Sequence, residues 1–176
     1  MNELMLFTDG SVNNQSKTGY GAYLVLTKPG LSLKFVKTLI KVKKFENTSS
    51  TKLELQTLLW ALQEIEIKSH VVAFTDSQNI IGLQERCKRL EQRNYKSKNN
   101  RPLNNKELYQ KFFKIIDQLD FKAVKVAGHQ ASNKKNDIGK IFTLVDKASR
   151  KAMRKDRIQG TSNTEVTFNK ERKGEP

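Results

Sequence analysis

The sequence predicts an α/β fold in which helices flank a mixed five-stranded sheet of three antiparallel strands followed by parallel strands. Three observations lead to this prediction. Runs of β-forming residues occupy the first 42 positions, the apolar spacing becomes helical from Thr51, and two later apolar strands alternate with helices. Short connections suit antiparallel neighbours, whereas helical crossovers join parallel strands.

The three antiparallel strands are predicted at residues 4–8, 20–27 and 33–42. The first is an apolar run that ends at Asp9, and the second, YGAYLVLT, is rich in β formers. The third alternates apolar and charged residues. Because short loops join the three segments, we expect an antiparallel meander.

The rest of the chain alternates helices with the two parallel strands. Apolar residues spaced i, i+3, i+4 and i+7 identify the helices, and short runs such as VVAFT identify the strands. The predicted elements are a helix from residue 51, a strand at 71–75, a helix from a Ser77 cap to about residue 90, a helix over 108–119, a strand at 123–127 and a helix from about 139 to 157.

Composition limits both the organisation and the function of the chain. Its 176 residues, 36% of them hydrophobic, suffice for one domain over residues 1–157, followed by a polar and flexible tail over 158–176. No apolar run reaches the roughly 18 residues of a membrane span, and a basic secretory start is missing. The single cysteine, Cys87, favours a reducing compartment, so we predict a cytoplasmic protein. The net charge of +15 points to a nucleic-acid partner.

Four acidic residues occupy positions where a site would form. Asp9 and Asp76 end neighbouring parallel strands, Glu54 lies in the first turn of a helix, and Asp146 lies on the last helix. Carboxylates that meet repel one another unless a cation neutralises them. Their hard oxygen atoms select Mg²⁺ or Mn²⁺ rather than Zn²⁺.

Each acid also has a purely structural alternative. Asp9 starts a common turn dipeptide, Glu54 fits a capping box, and Asp76 fits a helix cap. Asp146 can pair with Arg150 one helical turn later. Four such acids at strand ends within one fold nevertheless favour a shared site, and a capping residue can also be a ligand.

A set of short motifs in unbroken order over residues 4–155 resembles bacterial ribonuclease H type I. Any single motif is weak, but the whole set is specific. The motifs are residues 7–11 (FTDGS), 19–22 (GYGA), 50–55 (STKLEL), 75–78 (TDSQ), 126–129 (VAGH) and 144–148 (LVDKA).

The resemblance implies an endonuclease that cuts the RNA strand of an RNA–DNA hybrid and leaves 3′-hydroxyl and 5′-phosphate ends. It implies two Mg²⁺ ions, with Mn²⁺ as a substitute, held by Asp9, Glu54, Asp76 and Asp146. One ion would generate the attacking hydroxide and the other would stabilise the leaving oxygen. His129 matches the family's mobile histidine, which assists proton transfer or product release.

The resemblance also implies a set of nucleic-acid contacts. Residues 86–101 contain seven Lys or Arg and one Glu, and match the basic protrusion of bacterial members; a solvated basic surface is the alternative. The predicted contact residues are Ser11, Ser50, Thr51, Gln78, Arg86, Lys88, Arg89, Arg93, Tyr95, Lys96 and Lys98.

The chain departs from the family pattern at a few positions. Ser50 and Thr51 replace two asparagines that contact the minor groove, so discrimination between RNA and DNA is expected to be weaker. The segment before Asp146 is longer than usual, which makes Asp137 a competitor for that position. Six basic residues on the last helix, from Lys147 to Arg157, offer a second phosphate contact or a solubilising face.

The leading hypothesis is a monomeric, Mg²⁺-dependent ribonuclease H without a membrane or small-molecule partner. Two alternatives share its fold. One is a non-catalytic module that binds RNA or hybrid, and the other is a DNA-directed nuclease of the ribonuclease H-like superfamily. Four intact acids argue against the first, because binding alone gains nothing from carboxylates close to phosphate.

Overall fold

A computed structural model gives the structure of residues 3–27, 30–126 and 136–171, with side chains described up to residue 158. No helix in these ranges is both long and apolar enough to cross a bilayer. In chain order the elements are β1 (Glu3–Asn13), β2 (Thr18–Leu26), α1 (Leu33–Thr38), β3 (Lys41–Phe45), α2 (Ser50–Leu62), β4 (His70–Thr75), α3 (Gln78–Ile81), α4 (Cys87–Gln92), α5 (Lys106–Ile116), β5 (Asp120–Lys125) and α6 (Asp137–Glu171).

The strands form one five-stranded sheet in the order β3-β2-β1-β4-β5. The β1–β2 and β2–β3 pairs are antiparallel, and the β1–β4 and β4–β5 pairs are parallel. The predicted fold class is therefore confirmed. Phe7 of β1 lies opposite Phe74 of β4, so both strands end at the same edge of the sheet.

Each face of the sheet has its own hydrophobic core, because successive side chains of a strand point to opposite faces. Leu6 and Tyr23 pack with buried residues of α2 and α5 on one face. Phe7 and Leu24 pack with buried residues of α6 on the other. The sheet is thus covered by helices on both sides, as a sheet with buried parallel strands requires.

Helix α2 lies unusually close to the sheet because glycines of β1 and β2 face it. A Cβ atom at Gly10 would lie 2.9 Å from Leu53, and one at Gly19 would lie 2.6 Å from the same side chain. Leu53 therefore rests directly on the backbone of the two strands. Its neighbour Glu54 is brought to the edge where β1 ends.

The prediction of a strand at residues 33–42 is wrong for the first half of this segment, because Leu33–Thr38 forms helix α1. Ser32 caps this helix by accepting a hydrogen bond from the Phe35 backbone N–H at 3.3 Å. Val36 is fully buried against the α6 side of the sheet, whereas Phe35 is 51% exposed. The edge strand β3 follows as KVKKF, whose lysines suit an exposed edge.

Other predicted boundaries also differ from the structure: β1 runs to Asn13, so Asp9 lies within this strand rather than after it. The helix predicted from Ser77 to about residue 90 is broken into α3 and α4, since Gly82 ends α3. The last strand is Asp120–Lys125 rather than 123–127, because its first residue already pairs with His70 of β4. Helix α6 continues past residue 157. The flexibility of residues 158–176 stays a prediction.

Candidate active site

The four predicted acids lie around one cavity at the edge where the parallel strands end. Asp9 follows Phe7 by two residues on β1, and Asp76 follows Phe74 by two residues after β4. Glu54 projects from α2, and Asp146 projects from α6, which packs on the opposite face. All four line a cavity of about 670 Å³. The structure therefore brings together the carboxylates that the sequence placed on separate elements.

Asp9 is the most deeply placed of these acids. Its pKa rises from 3.8 to about 7, chiefly because of burial and also because of the nearby carboxylates of Asp146 and Asp76. Hydrogen bonds from the Ser149 hydroxyl and the Gly10 backbone oppose the rise without cancelling it. Without a cation, Asp9 therefore changes between its protonated and its ionised form near neutral pH.

Ser149 links Asp9 to helix α6. Its fully buried hydroxyl lies 2.7 Å from Asp9 Oδ2 and 2.9 Å from the Asp146 carbonyl oxygen. One hydroxyl hydrogen cannot serve both acceptors at once. When Asp9 is protonated it can donate to Ser149 Oγ, and the hydroxyl hydrogen is then available to the carbonyl. The position of the proton and the contact between β1 and α6 are therefore coupled.

Glu54 is held by Ser77, which the sequence predicts only as a helix cap. The Ser77 hydroxyl donates to Glu54 Oε2 at 2.6 Å and also caps α3, accepting from the Ile80 N–H at 3.4 Å. Partial burial raises the pKa of Glu54, the Ser77 hydrogen bond lowers it and the Asp76 charge raises it. The alternative capping-box role of Glu54 is not observed: the N-cap of α2 is Ser49, and Glu54 bonds to Ser77 instead.

Asp146 combines its two predicted roles. Its Oδ1 accepts from Arg150 Nε at 2.6 Å, which is the predicted pair one turn apart, and its side chain still lines the cavity. The competing Asp137 is exposed at the start of α6 and pairs with Lys140 at 3.1 Å. Among the described residues around the cavity, Asp146 is present and Asp137 is not.

The cavity has the donor chemistry of a divalent-ion site but not a preformed ion cage. Its carboxylate oxygens are the ligands that Mg²⁺ and Mn²⁺ prefer. Within residues 3–27, 30–126 and 136–171, no three His, Cys, Asp or Glu side chains stand close enough together to hold one metal ion. Hydrogen bonds to Ser77 and Ser149 and the ion pair with Arg150 occupy oxygens of three of the four acids.

The sequence of the chain is similar to those of known proteins. The sequence model of the RNase H family matches residues 1–154, which is most of the chain. The chain belongs to the RNase H family. A protein from Clostridium botulinum named Ribonuclease H is 27% identical over 145 residues, which cover 80% of this chain and 93% of that protein. Proteins with the same name from Caldicellulosiruptor saccharolyticus and Ruthia magnifica are 25% identical over 153 residues and 30% identical over 142 residues. These two alignments cover 85% and 78% of this chain and 100% and 90% of the respective relatives.

Several predicted contact residues lie at or near the cavity of this RNase H-family protein. Ser11 and Ser50 line it, and Thr51 is exposed in the first turn of α2. Gln78 is exposed beside Asp76 and accepts a hydrogen bond from Lys125 Nζ at 2.9 Å. His129 lies outside the described residues, so its role stays a prediction.

The basic segment 86–101 divides into exposed cations and two residues that hold the fold together. Lys88 and Arg89 are exposed on α4, and a cavity of about 380 Å³ is lined by side chains that include Arg93, Lys96 and Lys98. These five residues present positive charge to solvent and remain available to a phosphate backbone.

Arg86 and Tyr95 have structural partners instead. The Arg86 guanidinium donates to the backbone oxygens of Gly82 and Asn79. Tyr95 is 7% exposed, and its ring lies 6.5 Å from that of Phe113. A ring buried in this way has little surface left for stacking on a base, so the structure contradicts the predicted contact of Tyr95 with nucleic acid.

Two serines beside the cavity were not predicted as site residues, whereas three arginines of the basic face predicted on the last helix line it. Ser77 and Ser149 fix the carboxylates, while Arg150, Arg154 and Arg157 add positive charge to the cavity wall. The sequence could have indicated Ser149, because it lies three residues after Asp146 and therefore on the same face of the helix.

Proposed function

We propose that this RNase H-family protein is a type I ribonuclease H, an endonuclease that cleaves the RNA strand of RNA–DNA hybrids. The observation that carries the proposal is the convergence of Asp9, Glu54, Asp76 and Asp146 on one cavity. The relatives' name supports the same reaction. In a chain of net charge +15, a local cluster of acids is unfavourable for binding phosphate unless cations accompany it.

Two Mg²⁺ ions fit the donor set, with Mn²⁺ as a substitute. Four carboxylates supply hard oxygen ligands, and the raised pKa of Asp9 reports how poorly its buried charge is compensated without a cation. When bound, such ions supply Lewis-acid chemistry at the scissile phosphate. Asp9, Glu54, Asp76 and Asp146 would hold the ions, and Asp9 lies close enough to Asp76 and Asp146 for both of their charges to act on it.

The protein's own groups position the reaction. Ser77 fixes the Glu54 carboxylate, Arg150 fixes that of Asp146, and Ser149 fixes that of Asp9. Three of the four carboxylates are thus held in place before substrate arrives, while binding of the ions would still have to draw the four together. His129 would move a proton to or from the reacting groups, as its motif implies. The products would carry 3′-hydroxyl and 5′-phosphate ends.

Recognition of the hybrid would use two surfaces. The hydroxyls of Ser11 and Ser50 line the cavity, where they can bond to ribose 2′-hydroxyls. The cations of residues 88–98 would bind the phosphate backbone away from the cavity. Short hydroxyls reach less far than amides, so we propose weaker discrimination between RNA and DNA strands. The single cysteine of the chain supports the predicted cytoplasmic location.

A substrate panel tests the proposal. Labelled RNA–DNA hybrid, duplex DNA and a four-way DNA junction are incubated with Mg²⁺ or Mn²⁺ and either the wild type or Asp9→Asn. We expect the wild type to cut only the RNA strand of the hybrid, and Asp9→Asn to bind the hybrid without cutting it. If cleavage is confined to DNA substrates, a DNA-directed nuclease replaces the proposal. If the wild type binds hybrid and never cuts it, the non-catalytic module replaces it.

A further inference from the structure

A second cavity of about 670 Å³ lies between the α1–β3 segment and helix α6, and we call it the α1–α6 groove. Its wall combines cationic side chains with apolar ones. The groove is lined by Lys37, Ile40, Val42, Leu144, Asp146, Lys147, Ala148, Arg150, Lys151 and Arg154.

The charge of the groove is strongly positive. Its one carboxylate, Asp146, is already paired with Arg150. Lys37, Lys147 and Lys151 are exposed, and none of them forms an ion pair with another residue whose side chain the structure describes. Three uncompensated ammonium groups around one opening attract a polyanion.

The spacing of these cations suits an extended chain of anionic groups. Lys147 and Lys151 are one helical turn apart, so they lie on the same face of α6 and about 6 Å apart along its axis. Arg154 follows three residues later on that face, and Lys37 approaches from α1 across the groove. Ile40, Val42 and Leu144 offer an apolar floor against which sugars and bases can pack.

The groove is continuous with the catalytic cavity. Asp146, Arg150 and Arg154 line both. A nucleic-acid strand whose phosphate sits among the four acids can therefore continue past Arg150 into the groove without leaving positively charged surface. An acidic protein partner would satisfy the charge, but it would gain nothing from this continuity.

We propose that the α1–α6 groove binds a single-stranded extension of the substrate strand, through contacts of its phosphates with Lys37, Lys147, Lys151 and Arg154. This inference rests on the proposed function, because the strand is the one that enters the catalytic cavity. The groove would extend the contact surface beyond the hybrid itself. Hybrids whose RNA strand has an unpaired end would then bind more tightly than blunt hybrids.

The test compares three substrates and three proteins. A blunt hybrid and hybrids with a twelve-nucleotide RNA extension at the 5′ or the 3′ end are titrated by fluorescence anisotropy at 50 and 200 mM salt, with EDTA to prevent cleavage. The proteins are the wild type, the groove variant Lys37→Ala/Lys151→Ala, and a charge-matched control, Lys111→Ala/Lys122→Ala. The lysines of the control are exposed on α5 and β5, away from the groove.

We expect the wild type and the control to bind one of the extended hybrids more tightly than the blunt one, and the groove variant to lose that advantage. Each single-strand phosphate contact contributes a salt slope of about 0.7, so two lost contacts change the slope by about 1.4. The advantage of the extension is the affinity for the extended hybrid divided by that for the blunt one. When salt rises fourfold, this ratio should fall about sevenfold more in the wild type than in the groove variant.

Two results would overturn the inference: an extension that adds no affinity in the wild type, or a groove variant that keeps the full advantage. Either would leave the groove to an acidic protein partner. The proposed function is tested separately on the same samples, by cleavage of the blunt hybrid after addition of Mg²⁺. If the wild type does not cleave the blunt hybrid, the proposed function is refuted. The anisotropy results would still show whether the groove binds the extension.

Discussion

Replacing Asp9 with Asn should stabilise the metal-free fold, and the gain should depend on pH. The folded protein holds a proton on Asp9 up to about pH 7, whereas the unfolded chain releases it near 3.8. Stability relative to the unfolded chain is therefore lost as pH rises between these two values. An amide resembles the protonated acid in shape and carries no charge, so the variant avoids this loss.

The structure sets the size of the effect. A rise from 3.8 to about 7 is roughly three pKa units, and each unit is worth about 1.4 kcal/mol, so the upper bound is about 4 kcal/mol. Asp9 is mostly buried, so solvent screening removes little of it. The Asn oxygen can still accept from Ser149, which preserves the 2.7 Å hydrogen bond.

Urea unfolding of the wild type and of Asp9→Asn in EDTA, at pH 4 and pH 8, measures the gain. We expect a gain of about 2–4 kcal/mol at pH 8 and almost none at pH 4. The exposed Glu66→Gln is the control and should show no comparable gain. Equal effects of Asp9→Asn at both pH values, or destabilisation at pH 8, would refute the reasoning on the buried carboxylate.

Three further predictions concern the segment around α4. Tyr95→Ala should lower the free energy of unfolding by about 3–5 kcal/mol in urea titrations, because it empties a buried site against Phe113. Tyr95→Phe should change this free energy little, and equal losses in the two variants would contradict the packing role of the ring. Cys87 should react with iodoacetamide much more slowly than free cysteine at pH 8, because burial raises its pKa to about 11, and a rate equal to that of free cysteine would contradict this. Arg93→Ala/Lys96→Ala should reduce the slope of log affinity for the hybrid against log salt concentration by about 1.8, while turnover at saturation is preserved. An unchanged slope would show that this segment does not contact the hybrid.

The sheet order and the meeting of the acids could be predicted because they depend on chain-wide patterns. The change of apolar period near Thr51 separates the antiparallel strands from the crossover helices. Once β1 and β4 are parallel neighbours, Asp9 and Asp76 must lie close together, since each stands two residues beyond the last parallel pair, Phe7 and Phe74. Such conclusions need only strand order and direction, not the positions of individual side chains.

The prediction failed where a short segment fits two periods equally well. In residues 33–42 the apolar residues alternate, but one helical turn also explains them, and capping by Ser32 together with burial of Val36 decides for the helix. The prediction for Tyr95 is wrong for a related reason: its basic neighbours indicate an exposed surface, while its ring lies in the core. Burial of one aromatic side chain within a charged loop is decided by tertiary packing.

The hydrogen bonds that hold the carboxylates also could not be predicted from the sequence. Ser77 was predicted as a cap and is one, but its contact with Glu54 depends on how α2 rests on the glycines of β1 and β2. Ser149 meets Asp9 only because α6 packs on β1 at that depth. These contacts turn acids that merely share an edge into groups with fixed positions.

Hybrid cleavage by the four single amide variants tests the central claim most directly. Asp9→Asn, Glu54→Gln, Asp76→Asn and Asp146→Asn are compared with the wild type at saturating RNA–DNA hybrid and Mg²⁺, with hybrid affinity measured in parallel. If the four carboxylates work as one site, each variant should lose at least about a hundredfold in turnover while still binding the hybrid. A variant that keeps wild-type turnover would show that its carboxylate does not belong to the site.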